Sequence, residues 1–138
     1  MHADRPAPAE LEQPLELSFP PDPDQLAWTR RALQEWLVDR VTDPAVVTDI
    51  VLAVSEACAN AVEHGLRDNK DGTVRLRASR SDNQIHVVVA DNGRWKNPSA
   101  QPDPYRGRGL ALMRALMTEV EVRAEPDGTV VSLRARID

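Results

Sequence analysis

Between Ser55 and Gly65 the chain sets a carboxylate and a carboxamide one helical turn apart, Glu56 and Asn60. With Asp49 and Glu63 they make a polar line that spans roughly 60° of arc at about 100° per residue. A carboxylate placed there can accept a proton. The carboxamide oxygen beside it is a hard ligand of the kind Mg²⁺ takes while keeping waters and phosphate oxygens. Ala53, Ala57, Ala59 and Ala61 surround the line and are expected to leave a hollow beside Glu56 and Asn60. A solvated helix face would carry the same charges, so the small neighbours separate the two readings. His64, just before Gly65, reads as a helix C-terminal residue favoured by the dipole rather than as a catalyst.

Two glycine-containing turns follow. Asp91-Asn92-Gly93 ends an apolar strand, as an ordinary turn would. Its acidic group can also accept a hydrogen bond from an exocyclic amine such as adenine N6, while Gly93 lets a ring approach closely. Gly107-Arg108-Gly109 precedes Leu110, Met113, Leu116 and Met117, the expected buried face of a helix. Glycines entering a helix N-terminus expose backbone N–H groups at the positive end of the dipole, and Arg106 and Arg108 add charge there. Each turn says little alone. Their order says more: a helix with Glu and Asn, a strand with Asp-x-Gly, a proline-bearing loop, Gly-x-Gly, a helix.

The elements that must position these groups can be read from periodicity. Leu15, Leu17 and Phe19 alternate as a short strand. Pro23 and Asp24 open a helix whose buried stripe is Leu26, Ala27, Leu33, Leu37 and Val41, with Trp36 beside it. Asp43-Pro44 restarts the helix as N-cap and N1 residues, and Gly65 is expected to stop it. Four strands follow: Val74 to Ser79, Ile85 to Ala90, Glu119 to Ala124 and Val131 to Ile137, with turns at Asp82-Asn83 and Pro126-Asp127-Gly128. Strands with one apolar and one charged face predict an α+β two-layer sandwich, a mostly antiparallel sheet with helices on one face.

With 138 residues the chain fits one domain, expected as residues 14–138 behind a disordered tail at 1–13. A net charge of −5 gives no chain-wide pull toward nucleic acid or an anionic membrane. The single cysteine, Cys58, excludes an internal disulfide and suggests a reducing compartment. No signal segment and no apolar run near the ~20 residues of a membrane span are expected, which points to the cytoplasm. Only Lys70 and Lys96 are lysines among 17 basic residues, and no Gly-x-x-x-x-Gly-Lys occurs, so a P-loop is excluded. Of 11 prolines, six precede residue 24 and three lie between Pro98 and Pro104.

At these residues the sequence resembles the GHKL ATPase superfamily, whose ATP-binding Bergerat fold is a two-layer sandwich of the histidine-kinase-like ATPase type. Ser55-Glu56-Ala57-Cys58-Ala59-Asn60-Ala61-Val62-Glu63-His64-Gly65 looks like its N-box, Asp91-Asn92-Gly93 like its adenine box and Gly107-Arg108-Gly109-Leu110 like its phosphate box. Within the superfamily, Gly107 to Val122 is similar to the bacterial anti-sigma factor serine kinases. The resemblance covers about residues 15 to 137. It implies ATP and Mg²⁺ as cofactors, with Glu56 as the general base toward an acceptor serine, Asn60 as the metal ligand and Asp91 with Gly93 at the adenine. Arg106, Gly107, Arg108, Gly109 and Leu110 would lie along the phosphates, and Arg30 would contact protein partners.

Implied too are a sigma factor and a STAS-domain anti-anti-sigma protein as partners, a homodimer, and a role in transcription regulation and stress response. Trp95 stands where the adenine box usually has its second glycine. The segment with Pro98, Pro102 and Pro104 is expected to be a short ATP lid. No dimerisation and phosphoacceptor helix pair and no transducer domain fit in the length, which disfavours the other branches of the superfamily. The residues also leave open a nucleotide-binding module that sequesters a partner without kinase activity, or a switch kinase acting on other regulatory proteins.

Overall fold

Alternating apolar residues, each followed by a polar one, build the first strand, β1 (Leu15–Phe19). Two prolines end it, and Asp22 accepts a hydrogen bond from the Asp24 amide (2.9 Å) to start a short 3₁₀ turn at Pro23–Gln25. Helix α1 (Leu26–Val38) continues from there. The second helix, α2 (Pro44–Asp68), opens as expected, with the Ala45 amide donating to the Asp43 carboxylate at 2.9 Å. Strands β2 (Val74–Ser81) and β3 (Gln84–Asp91), helix α3 (Arg108–Leu116), and strands β4 (Glu119–Glu125) and β5 (Gly128–Arg136) complete the order. These come from a computed structural model that describes residues 13–68, 72–92, 108–126 and 128–137. The tail assigned to residues 1–13 and the proline-bearing lid at 98–104 therefore fall almost wholly outside the described residues.

The strands form one five-stranded sheet in the order β1-β2-β3-β5-β4, and all four pairings are antiparallel. Two tight hairpins account for two of the contacts. In the β2–β3 hairpin Asp82 sits at φ 52°, a conformation Asp tolerates better than most side chains. The connection from β3 through α3 leads to β4 at the edge, and β5 folds back between them. That insertion brings the start of β5 against the end of β3, where Asp91 faces Thr129.

The helices cover one face only, as expected for a two-layer sandwich. Leu33 and Leu37 from α1, Ile50, Val54, Ala57 and Ala61 from α2, and Met113 from α3 meet Leu76, Val87 and Leu133 of the sheet, all at most 1% exposed. On the other face His86 Nε2 lies 2.7 Å from Ser132 Oγ. Partial burial, then Arg134 and Arg77, lower the pKa of that histidine.

Three local expectations are corrected. Ala27 is exposed, and Thr29 takes a buried place on α1, its hydroxyl donating to the Gln25 carbonyl at 2.8 Å. Helix α2 does not stop at Gly65 but continues to Asp68; glycine permits a left-handed cap without imposing one, and costs about 1 kcal/mol relative to alanine inside a helix. The stretch Pro44–His64, 21 residues, is also long and apolar enough, by composition, to cross a membrane, with mean hydropathy 1.6 in its most apolar 18-residue window. Its apolar side is the inner wall of the core, and its opposite side carries Asp49, Glu56 and Glu63. High hydropathy here reflects a central helix packed between α1, α3 and the sheet.

Candidate functional site

The polar line on α2 meets the N-terminal turn of α3. A Cβ built on Gly109 would stand 2.8 Å from Glu56 Oε2 and 3.1 Å from Asn60 Nδ2. Glycine is what lets the start of α3 descend onto this pair. Asn60 Nδ2 is buried without a hydrogen-bond partner, which is a cost unless a further group satisfies the amide. The oxygen and nitrogen of a carboxamide exchange places by a half-turn, so the same position can present an oxygen. Three features thus converge: a carboxylate, an unsatisfied carboxamide and a helix N-terminus.

The alanines work differently from the expected hollow. Ala53, Ala57 and Ala61 are fully buried and let α2 approach the sheet, while Gly109 supplies the space at Glu56 and Asn60. Glu63 is exposed on the rim and Asp49 half-buried. For Gly109→Ala the new methyl group would press on the far ends of two flexible side chains, which can swing away. Melting should therefore change by no more than a few degrees, while any activity that needs Glu56 in place should fall at least tenfold. A thermal melt beside a turnover assay checks this.

The end of β3 forms the second part of the site. Asp91 is 6% exposed and lies between Val74 of β2 and Thr129 of β5. Beyond it Asn92 is clamped to Thr73: the Thr73 amide donates to Asn92 Oδ1 at 2.6 Å, and the Asn92 amide to the Thr73 carbonyl at 3.3 Å. Two side chains stand beside Asp91 that the sequence reading did not assign to it. His64 is fully buried with Nδ1 3.5 Å from Asp91 Oδ1, and Thr129 is fully buried with Oγ1 unpartnered. The signals were present. His64 is one helical turn beyond Asn60, and Thr129 precedes Val131, Leu133 and Ala135 on the inward alternation.

Gly128 is the second glycine that the packing requires. It sits at φ 155°, and a Cβ there would overlap the Asp91 carbonyl oxygen.

Other expected site residues are placed in part. Gly93, Arg106 and Gly107 lie outside the described residues, as does Trp95. Arg108 begins α3, and Leu110 packs half-buried against the core. Arg30 is exposed on α1 and lines a cleft between α1 and α2 with Ser55 and Ala59, the neighbours of the Glu56 face. Arg31 is not among that cleft's lining residues. Burial pushes the Cys58 thiol up to about 12, so it does not serve as a nucleophile. Among the described residues no group of three or more His, Cys, Asp and Glu side chains gathers to hold a metal.

This arrangement has counterparts among known proteins. The profile of the histidine kinase-like ATPase domain matches residues 19–135. A serine-protein kinase RsbW from Bacillus pumilus is 36% identical over 112 residues, covering 67% of this chain and 69% of that protein. An anti-sigma F factor from Clostridium beijerinckii is 30% identical over 109 residues, covering 70% and 76%. Among solved structures, the RsbU and RsbW domains of Rv1364c from Mycobacterium tuberculosis superpose with a TM-score of 0.74 at 29% identity, over 91% of this chain and 32% of that one. The chain spans about a third of that structure's length. The fold and the family match define a domain of the histidine kinase-like ATPase class, the kind that uses ATP. Within that class the chain belongs to the bacterial anti-sigma factor serine-protein kinases of the GHKL superfamily.

Proposed function

We propose that this protein is an ATP- and Mg²⁺-dependent protein serine kinase and anti-sigma factor. It would act in the cytoplasm, bind an RNA polymerase sigma factor, and phosphorylate a serine on a STAS-type anti-anti-sigma protein. The observation that supports this best is Gly109 set against Glu56 and Asn60, because it joins a proton acceptor, an amide ligand and a phosphate-binding helix end in one place. Family membership supports a homodimer as the working unit.

In this reading Asp91 accepts a hydrogen bond from the adenine 6-amino group, and the Thr129 hydroxyl offers a second polar atom beside it. Asn60 is the residue on α2 suited to hold Mg²⁺, which supplies charge neutralisation along the phosphates when bound. The amides at the start of α3 face the same phosphates. Glu56 takes the proton from the acceptor serine as its oxygen bonds to the γ-phosphorus; the bond from that phosphorus to the bridging oxygen breaks, and ADP leaves. Arg30, which lines the α1–α2 cleft, would contact the incoming protein.

Incubation with γ-labelled ATP and a STAS protein encoded by the same organism tests the reading. Label should appear on a serine of that protein and depend on Mg²⁺. Nucleotide binding with no labelled acceptor would leave a sequestering module instead, and labelling of a protein outside the STAS class would point to a different switch kinase.

A further inference from the structure

The transfer steps above make no use of His64, yet this side chain is fully buried in the fold. Its Nδ1 stands 3.5 Å from Asp91 Oδ1, with the two side chains 0% and 2% exposed. Two polar groups taken out of water side by side gain by interacting with each other. The contact also links parts distant in sequence. His64 sits on the helix that carries Glu56 and Asn60, and Asp91 ends the strand that meets β5.

The backbone of Asp91 is already fixed. Its register partners are Val74 and Thr129, and Gly128 lies against its carbonyl oxygen. Strand register acts on the backbone and not on the last torsion of the side chain, which is broad and roughly two-fold in aspartate. A carboxylate accepts at both oxygens. An N–H held against one of them sets the plane of the group and points the other at a ligand, as an outer-shell partner does for a metal-bound histidine.

We infer that His64 is a positioning residue for nucleobase recognition: its ring donates Nδ1–H to Asp91 and turns the carboxylate toward the 6-amino group of adenine. This rests on the reading of Asp91 as the adenine contact. The contact is long for a hydrogen bond, and such contacts tighten when the ligand arrives. His64 thereby ties the helix that holds the transfer machinery to the group that selects the base.

The full-length chain is titrated with ATP and with purine riboside 5′-triphosphate, which lacks the 6-amino group. His64→Leu removes the donor and should weaken ATP about tenfold while leaving the purine analogue within about twofold. His64→Asn, whose amide can place an N–H near the position of Nδ1, should keep ATP within about threefold. Equal loss of both nucleotides in His64→Leu, or no loss of ATP, overturns the inference.

Asp91→Asn separates the two layers of the argument. Loss of ATP with the analogue unaffected supports the reading of Asp91; equal behaviour toward both nucleotides removes that reading, and the inference with it. A readout that needs no substitution is the ¹⁵N spectrum of histidine-labelled protein with ATP bound. A protonated Nδ1 on His64 is expected, and an unprotonated Nδ1 overturns the proposal even if both variants fail to fold.

Discussion

Replacement of Glu56 by glutamine is expected to leave ATP affinity within about twofold and to lower serine phosphorylation by roughly 10² to 10⁴, the range by which a positioned general base accelerates proton transfer. Glutamine has nearly the same shape, so Gly109 still has room to lie against it and Asn60 keeps its neighbour. The amide cannot take a proton at neutral pH. Single-turnover transfer from γ-labelled ATP, beside a nucleotide titration of the same variant, separates chemistry from binding. Normal transfer by Glu56→Gln would place the base elsewhere and dissolve the reading of the α2 polar line. Loss of both binding and transfer would mean that Glu56 helps hold the nucleotide instead.

The sequence carried much of this site because its central pair is local. Glu56 and Asn60 are separated by one turn of one helix, and helical periodicity suffices to put them side by side. The sheet was equally legible, since Val74, Leu76 and Ala78, or Val131, Leu133 and Ala135, alternate with polar or charged residues that belong on the opposite face. What stayed hidden depends on contacts between elements. Gly109 meets Glu56 only because α3 packs across α2. His64 meets Asp91 only because α2 lies over β3. Thr129 reaches Asp91 only because β5 inserts between β3 and β4, a pairing that no local pattern specifies. The alanines of α2 mislead for a related reason: small residues allow close approach, but which neighbour approaches is decided by tertiary packing.

Gly128→Ala is expected to damage the fold and the nucleotide site together, through a contact with nowhere to yield. At Gly109 an added methyl group meets the ends of side chains; at Gly128 it meets backbone, overlapping the Asp91 carbonyl oxygen and lying 3.0 Å from both the Asp91 carbonyl carbon and Asn92 Cα. The φ of 155° is also one that alanine adopts only under strain. The strand pair must open at Asp91 and Thr129, where β3 and β5 exchange their last contacts. A loss of about 2–4 kcal/mol in stability follows from strain at a special φ/ψ. Because the displaced residues are the two proposed to face the base, ATP affinity should fall more than tenfold, whereas Gly109→Ala should spare stability and lose transfer. Thermal melts with and without ATP, run on both variants, give the comparison. A Gly128→Ala protein that melts and binds ATP like the unaltered chain would show that the β3–β5 junction does not set the position of Asp91.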